Sequence, residues 1–306
     1  MTLDADLPSR AACSSEPRRR TFHIATPRGP AALAALDFGD AGRPVDVVFL
    51  HANGFNALTY RSALAPLADR LRILAVDQQG HGRSAQRVPA EGRTDWFDLR
   101  DDLIGLLDAL DGPPVVLSGH SMGGAASVLA AAERPARVKA LALFDPVIMS
   151  RQMAGELAHG DRPAIAENPL AAGARRRRPV FASRQAALDS YRGRGAFKTW
   201  PEAALADYVQ DGFRDRPDGS VELACAPEWE ASNFAAHGHD PWPAMARIDV
   251  PVTILRAEHG STCQITSPEA FPLGNYRVRI ETIAGTSHFL PIERPDLVRD
   301  TLLALS

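Results

Sequence analysis

Ser121 and His288 are the residues of this chain whose types and surroundings could carry out nucleophilic chemistry. Ser121 lies at the centre of the pattern GHSMG (residues 119–123), directly after a mainly apolar run at residues 114–118. A G-x-S-x-G pattern in this context predicts a tight turn between a strand and a helix, because small neighbours let chain segments approach closely. A serine hydroxyl is a weak nucleophile until a base removes its proton, so a histidine should lie nearby.

His288 is the candidate base. It lies in the segment GTSHF (residues 285–289), between the last predicted strand at residues 277–283 and a final amphipathic helix at residues 295–305. A histidine there fits the chain order serine, acid, histidine that is known for one class of hydrolytic triads.

Two backbone N–H groups are candidates for binding an oxyanion. Met122 follows the serine, and Asn53 lies in the loop HANGF (residues 51–55), which comes after an apolar strand at residues 45–50. Such amide groups stabilise the charge that develops on a carbonyl oxygen during acyl transfer. We expect His51, at the start of this loop, to fix the loop by hydrogen bonding.

The elements that must position these residues are strands alternating with helices. Near-continuous apolar runs are typical of parallel strands covered on both faces, and they lie at residues 45–50, 71–76, 114–117, 140–144 and 251–255. Amphipathic stretches separate them. The sequence therefore predicts an α/β fold in which ligands bind at the carboxyl ends of the strands.

The alternation stops after residue 144 and resumes near residue 250. We predict a disordered tail at residues 1–20, a core at residues 21–146 and 245–306, and a mainly helical cap or lid insertion at residues 147–244. Within the core, the pattern predicts a β-hairpin with strands at residues 21–26 and 31–38.

Composition limits the possible partners. The chain has 306 residues, 45% hydrophobic residues and a net charge of −3, which fits a globular protein without a nucleic-acid or membrane partner. Its three cysteines are too few and too scattered for a disulfide framework or a zinc site. We expect a cytoplasmic protein with no metal and no cofactor, and the oligomeric state stays open.

Four motifs in order resemble the α/β-hydrolase superfamily across residues 21–306: HANG (51–54), DQQGHGRS (77–84), GHSMG and GTSHF. The resemblance implies a mostly parallel sheet with helices on both faces and a helical lid insertion. It also implies structural turn roles for Asp77 and Ser84.

The triad acid departs from the commonest family pattern. In most relatives it follows the next-to-last strand, but here that stretch reads RAEHGS (residues 256–261), and Gly260 or Ser261 stands at the usual position. Some relatives take the acid from the end of the strand after the elbow helix, where this chain has Asp145. We favour Asp145, and Glu258 is the alternative.

The residues and the resemblance together predict a cofactor-free serine hydrolase acting on a small-molecule carboxylic ester or lactone. Ser121 would be the nucleophile, His288 the base and then the acid, and Asp145 the orienting carboxylate. The alternatives are carbon–carbon bond hydrolysis or acyl transfer on the same triad, and a ligand-binding receptor that retains a hydrolase pocket.

Overall fold

The computed structural model describes residues 16–159, 168–268, 271 and 277–306. The strands are β1 (Arg18–Thr26), β2 (Gly29–Phe38), β3 (Val47–Leu50), β4 (Ile73–Val76), β5 (Val115–His120), β6 (Val138–Phe144), β7 (Val180–Phe181), β8 (Phe213–Asp215), β9 (Val221–Leu223), β10 (Val252–His259) and β11 (Val278–Ser287).

The α-helices are α1 (Arg61–Leu64), α2 (Phe97–Ala109), α3 (Met122–Glu133), α4 (Arg151–Ala158), α5 (Pro169–Arg175), α6 (Arg184–Tyr191), α7 (Glu202–Gly212), α8 (Pro227–Ala235), α9 (Trp242–Met245), α10 (Leu290–Glu293) and α11 (Pro295–Leu305). Short 3₁₀ turns lie at Ala57–Tyr60, Ala65–Leu67, Pro135–Arg137 and Gly195–Phe197. None of the helices in the described ranges is long and apolar enough to cross a lipid bilayer.

One large sheet organises the described residues. Its strand order is β1-β2-β4-β3-β5-β6-β10-β11. The β1–β2 and β2–β4 pairs are antiparallel, and all the pairs from β4 to β11 are parallel. The predicted α/β fold with a mostly parallel sheet is confirmed.

Apolar layers cover both faces of this sheet, which explains the unbroken apolar runs in the sequence. Along β3, alternate side chains enter opposite layers: Val47 and Phe49 pack with α1 and α11, whereas Val48 and Leu50 pack with α2 and α3. All four of these residues are buried. A strand that buries both faces has no polar side, so apolar and polar residues do not alternate along it.

The first strand begins earlier than predicted. Residues 18–20 belong to β1 instead of the tail, because they pair with residues 35–37 of β2. Arg18 and Arg20 also form ion pairs with the fully buried Asp37, and Arg19 pairs with Asp211 of α7. Residues 1–15 of the predicted tail lie outside the described residues.

The segment between β6 and β10, in which the insertion is predicted, carries helices α4–α9. It also contains a three-stranded antiparallel sheet in the order β7-β9-β8, which the sequence analysis did not predict. These strands have two or three residues each, too few for a periodic pattern to be visible. Residues 160–167 lie outside the described residues.

Candidate active site

Ser121 lies on a turn between β5 and α3 in a backbone conformation that is rare for a residue with a side chain. Its φ is 56° and its ψ is −118°. Hydrogen bonds on both sides hold it there: its N–H donates to Phe144 O, and its carbonyl accepts from Gly124 N and Val147 N. A costly conformation persists only when surrounding structure enforces it, and such positions cluster at functional sites.

The two glycines of the G-x-S-x-G pattern are required by close backbone approach. A Cβ atom on Gly119 would lie 2.4 Å from the carbonyl carbon of Gly123. A Cβ atom on Gly123 would lie 2.5 Å from the carbonyl oxygen of Leu50, which is the last residue of β3. Both distances are far below any tolerable contact, so the elbow can pack against the sheet only with glycine at these positions.

His288 follows β11 and lies between Ser121 and Asp145. Its Nε2 is 3.0 Å from Ser121 Oγ, and its Nδ1 is 2.6 Å from Asp145 Oδ2. A carboxylate can only accept, so Nδ1 carries the proton and Nε2 is left to accept the serine hydroxyl. In this arrangement the imidazole can take a proton from the serine, and the carboxylate can stabilise the resulting imidazolium.

Asp145 is fully buried at the end of β6 and has a φ of 42°. Besides His288, it accepts hydrogen bonds from the backbone N–H groups of Ala257 and Thr262, at 2.9 Å and 3.0 Å, and from the Ser261 hydroxyl. Burial opposes its ionisation, but the hydrogen bond and charge of His288, with the other donors, hold its pKa below the ordinary value.

The alternative acid, Glu258, is placed elsewhere. Its side chain is 46% exposed, its Oε2 accepts from Gly285 N at 2.7 Å, and the same atom lies 3.4 Å from His259 Nε2. The contacts of Glu258 therefore anchor the turn before His288. It is Asp145, and not Glu258, that contacts His288.

Ser261 and Thr262, whose roles sequence reasoning missed, occupy the loop that carries the acid in most relatives. Here that loop supplies donors to the acid from the neighbouring strand. The available signal was a small hydroxyl residue, Ser261, at the usual acid position.

His120, next to the serine, links the elbow to two other parts of the site. Its Nε2 is 2.7 Å from His288 O and its Nδ1 is 2.7 Å from Tyr60 Oη. Because Nε2 must donate to the carbonyl, Nδ1 accepts from the Tyr60 hydroxyl, which in turn accepts from Ala52 N. Burial lowers the pKa of His120 to about 3, so this ring is neutral and structural.

The loop containing Asn53 is held by a backbone carbonyl and a side chain of α8. Asn53 Nδ2 donates to Glu230 O at 3.0 Å, and its Oδ1 accepts from Asn233 Nδ2 at 2.9 Å. In the described part of the chain, neither the Asn53 N–H nor the Met122 N–H donates to a protein acceptor. Both residues line the cavity that contains Ser121.

The other polar residues of the sequence motifs have structural contacts. His51 Nε2 accepts from Gln78 N, so this residue fixes the loop as expected. The Asp77 carboxylate accepts from Ala57 N and Arg83 N, and the Ser84 hydroxyl donates to Asp77 O. Within the described ranges, no group of histidine, cysteine and acidic residues has a metal-binding arrangement.

A cavity of about 290 Å³ adjoins Ser121. It is lined by residues of the core and of the insertion: Asn53, Trp96, Ser121, Met122, Val147, Met149, Met153, Asn168, Leu170, Phe234, His237, Ser261, Thr262, Gln264 and His288. The insertion thus forms part of the wall around the serine.

This chain is similar in sequence to proteins from two bacteria. A 2-(acetamidomethylene)succinate hydrolase from Mesorhizobium japonicum is 24% identical over 277 residues, which are 90% of this chain and 92% of the relative. The dihydrolipoyllysine-residue acetyltransferase component of the acetoin cleaving system of Pseudomonas putida is 33% identical over 132 residues, 43% of this chain. The match spans only 34%, about a third, of the length of that relative.

The solved structures give the same fold. The peroxisomal alpha-beta-hydrolase Lpx1 from Saccharomyces cerevisiae superposes with a TM-score of 0.73 at 20% identity, covering 94% of this chain and 87% of the yeast chain. The family model described as "Alpha/beta hydrolase family" matches residues 47–301, which include the elbow, Asp145 and His288. This chain belongs to the alpha/beta hydrolase family.

Proposed function

We propose that this protein is a cofactor-free serine hydrolase that cleaves a small-molecule carboxylic ester or lactone through an acyl-enzyme. The observation that carries the proposal is the continuous hydrogen-bonded path from Ser121 Oγ through His288 to Asp145, with distances of 3.0 Å and 2.6 Å. This path can activate the serine, and the adjoining free amide groups can bind the charge that its attack creates.

In the first half of the reaction, Ser121 Oγ attacks the substrate carbonyl carbon while its proton passes to His288 Nε2. Asp145 stabilises the imidazolium, and the Asn53 and Met122 N–H groups bind the oxyanion. When the tetrahedral intermediate collapses, the bond between the acyl carbon and the alcohol oxygen breaks, and the alcohol takes the proton from His288 Nε2. The acyl group stays on Ser121.

In the second half, a water molecule gives a proton to His288 Nε2 and attacks the acyl carbon. The second tetrahedral intermediate collapses, Ser121 Oγ takes back the proton, and the carboxylic acid leaves. For a lactone, the alcohol and the acid are parts of one product molecule.

The named substrate of the Mesorhizobium relative is not carried over to this chain. A succinate group bears negative charge, and its carboxylates need cationic or well-aligned donor groups when buried. None of the described residues that line the cavity is lysine or arginine.

The experiment that tests the proposal is hydrolysis of 4-nitrophenyl butyrate in water enriched in oxygen-18, with mass analysis of the butyrate. We expect many turnovers per protein molecule and one heavy oxygen in the acid. Ser121→Ala should abolish this activity, whereas Ser127→Ala, whose hydroxyl bonds to Gly123 O within α3, should keep it. Retention of intact ester without turnover would indicate a receptor, and transfer of butyryl to an added alcohol in preference to water would indicate a transferase; either contradicts the proposal.

A further inference from the structure

We infer that the substrate is an uncharged ester with an apolar chain that runs from Ser121 to the mouth of the cavity and covers Met153 and Leu170. This inference rests on the proposed hydrolase function and names the chemical class of its substrate.

The first observation is the apolar character of the wall. Trp96, Val147, Met149 and Phe234 line the cavity beside Ser121, and among its described lining residues there is no aspartate, glutamate, lysine or arginine. An ionised group placed there would lose its hydration without gaining a charged partner, which is strongly unfavourable.

The second observation is that most polar side chains of the wall are already engaged with the protein. Asn168 Nδ2 donates to Phe234 O at 2.7 Å, while its Oδ1 caps α5 by accepting from Leu170 N. The Thr262 hydroxyl donates to Asp145 O, and Gln264 Oε1 accepts from Ser150 N. Among the described lining residues, His237 Nδ1 is buried without a hydrogen-bond partner, and few other hydrogen-bonding groups remain for a ligand beyond those needed for the reaction.

The third observation concerns the mouth of the cavity. Within the described residues, the large hydrophobic side chains that are exposed are Met153, at 44%, and Leu170, at 58%. Both line this cavity, one from α4 and one from α5. Single exposed hydrophobic residues are common on proteins, but two at the rim of one apolar cavity form a path that a bound chain can cover.

The size of the cavity fits this arrangement. A volume of about 290 Å³ lies at the lower end of the range for ligand pockets. The enclosed part therefore holds the ester group and a short apolar segment, and a longer chain extends over Met153 and Leu170.

The test measures kcat/KM for two ester series, 4-nitrophenyl esters with acyl chains of increasing length and acetate esters with alkyl alcohols of increasing length. We expect kcat/KM to rise by about threefold per methylene in at least one series, because each methylene is removed from water. Met153→Gln and Leu170→Gln should each lower the value for the longest esters by about tenfold and leave the shortest within about twofold. Leu305→Gln, at the end of α11, is the control, and it should change kcat/KM for neither the longest nor the shortest esters.

A charged ester completes the test. The mono-4-nitrophenyl ester of glutaric acid carries a carboxylate where the pentanoate ester carries a methyl group, and we expect kcat/KM to be at least about 100-fold lower for the charged ester. Equal rates for the two esters, or no dependence on chain length in either series, would overturn the inference.

Labelling of Ser121 by a fluorophosphonate distinguishes failure of the substrate class from failure of the hydrolase proposal. If the serine is labelled but the charged or shortest esters are preferred, the hydrolase proposal stands and the substrate class is wrong. If neither labelling nor ester hydrolysis occurs, both are wrong. Equal labelling rates in Met153→Gln, Leu170→Gln and the unmodified protein would show that the variants are folded.

Discussion

The Ser261 hydroxyl donates a hydrogen bond to the Asp145 carboxylate, joining the loop after β10 to the end of β6. The loop that bears the acid in most relatives therefore holds, in this chain, an acid that comes from the neighbouring strand. Thr262 N adds a second donor from the same loop. Asp145 itself follows β6, and donors that follow β10 bind its carboxylate beside His288.

Replacement of Ser261 by alanine should slow the reaction. The Asp145 carboxylate would lose one donor in a buried setting, where a hydrogen bond to a charged group is valuable, so we expect kcat to fall by roughly tenfold. Steady-state kinetics with an activated ester measures this. Ser261→Thr keeps the hydroxyl and should retain most of the rate; equal rates for the alanine variant and the unmodified protein would contradict this account of Asp145.

Replacement of Asn233 by alanine tests the link between the insertion and the amide groups that face Ser121. Asn233 on α8 donates to Asn53 Oδ1 and accepts from Arg93, so its loss removes one of the two hydrogen bonds between α8 and the Asn53 side chain and loosens the loop that carries the Asn53 N–H. We expect kcat to fall by about 10- to 100-fold with little change in KM, because oxyanion binding is strongest in the transition state. Ser232→Ala on the same helix is the control. A rise in KM at constant kcat would assign Asn233 to substrate binding instead.

Replacement of Gly123 by alanine should damage the fold itself. The new Cβ atom would meet Leu50 O at 2.5 Å, so β3 and α3 would have to separate. We expect a loss of several kcal/mol in the free energy of unfolding, measured by urea titration. Gly155→Ala in α4 is the matched control: its Cβ atom would meet no heavy atom within 4 Å, and alanine should be neutral or stabilising by up to about 1 kcal/mol. Similar urea concentrations at the midpoint of unfolding for the two variants would contradict the close packing of the turn at Ser121.

Four buried histidines and the partly buried His237 predict the pH dependence of stability. Burial lowers the pKa of His51 and His237 to about 4 and that of His120 to about 3, and it lowers those of His81 and His239 well below the ordinary value of 6.5. Below pH 6.5 these residues take up protons in the unfolded chain but stay neutral in the folded chain. Each such proton lowers the free energy of unfolding by about 1.4 kcal/mol per unit of pH as the solution is acidified.

Three buried carboxyls act in the opposite direction. Burial raises the pKa of Asp77 and Asp102 to about 6 and raises that of Asp207 as well, so these groups bind protons more readily in the folded state. The five histidines outnumber them, and we expect stability to be greatest above pH 6.5 and to fall between pH 6.5 and about 4. Urea titrations at several pH values measure this; stability that rises on acidification would contradict the neutral state of the histidines.

Sequence patterns predicted those parts of the molecule that depend on continuous burial or on strict backbone geometry. Strand β3 is recognisable because both its faces are covered, and the elbow is recognisable because Gly119 and Gly123 have no room for a side chain. The start of β1 was missed, since its arginines read as a charged tail. Asp37, the partner of Arg18 and Arg20, is distant in sequence, and only the folded hairpin brings these charges together.

The parts of the site that could not be predicted depend on contacts between separate loops. Ser261 and Asn233 are ordinary polar residues in the sequence, and their importance follows only from the positions of Asp145 and Asn53. The choice between Asp145 and Glu258 depended on the family resemblance, and the contacts of His288 distinguish them.

Labelling with a fluorophosphonate, followed by intact mass measurement, tests the central claim most directly. The account predicts a single adduct on the unmodified protein, none on Ser121→Ala, much slower labelling of Asp145→Asn, and an unchanged rate for Glu258→Gln, because Asp145 orients His288 and Glu258 does not contact it. Slow labelling of Glu258→Gln with normal labelling of Asp145→Asn would contradict the proposed triad, and an unmodified protein that fails to react would contradict the hydrolase function.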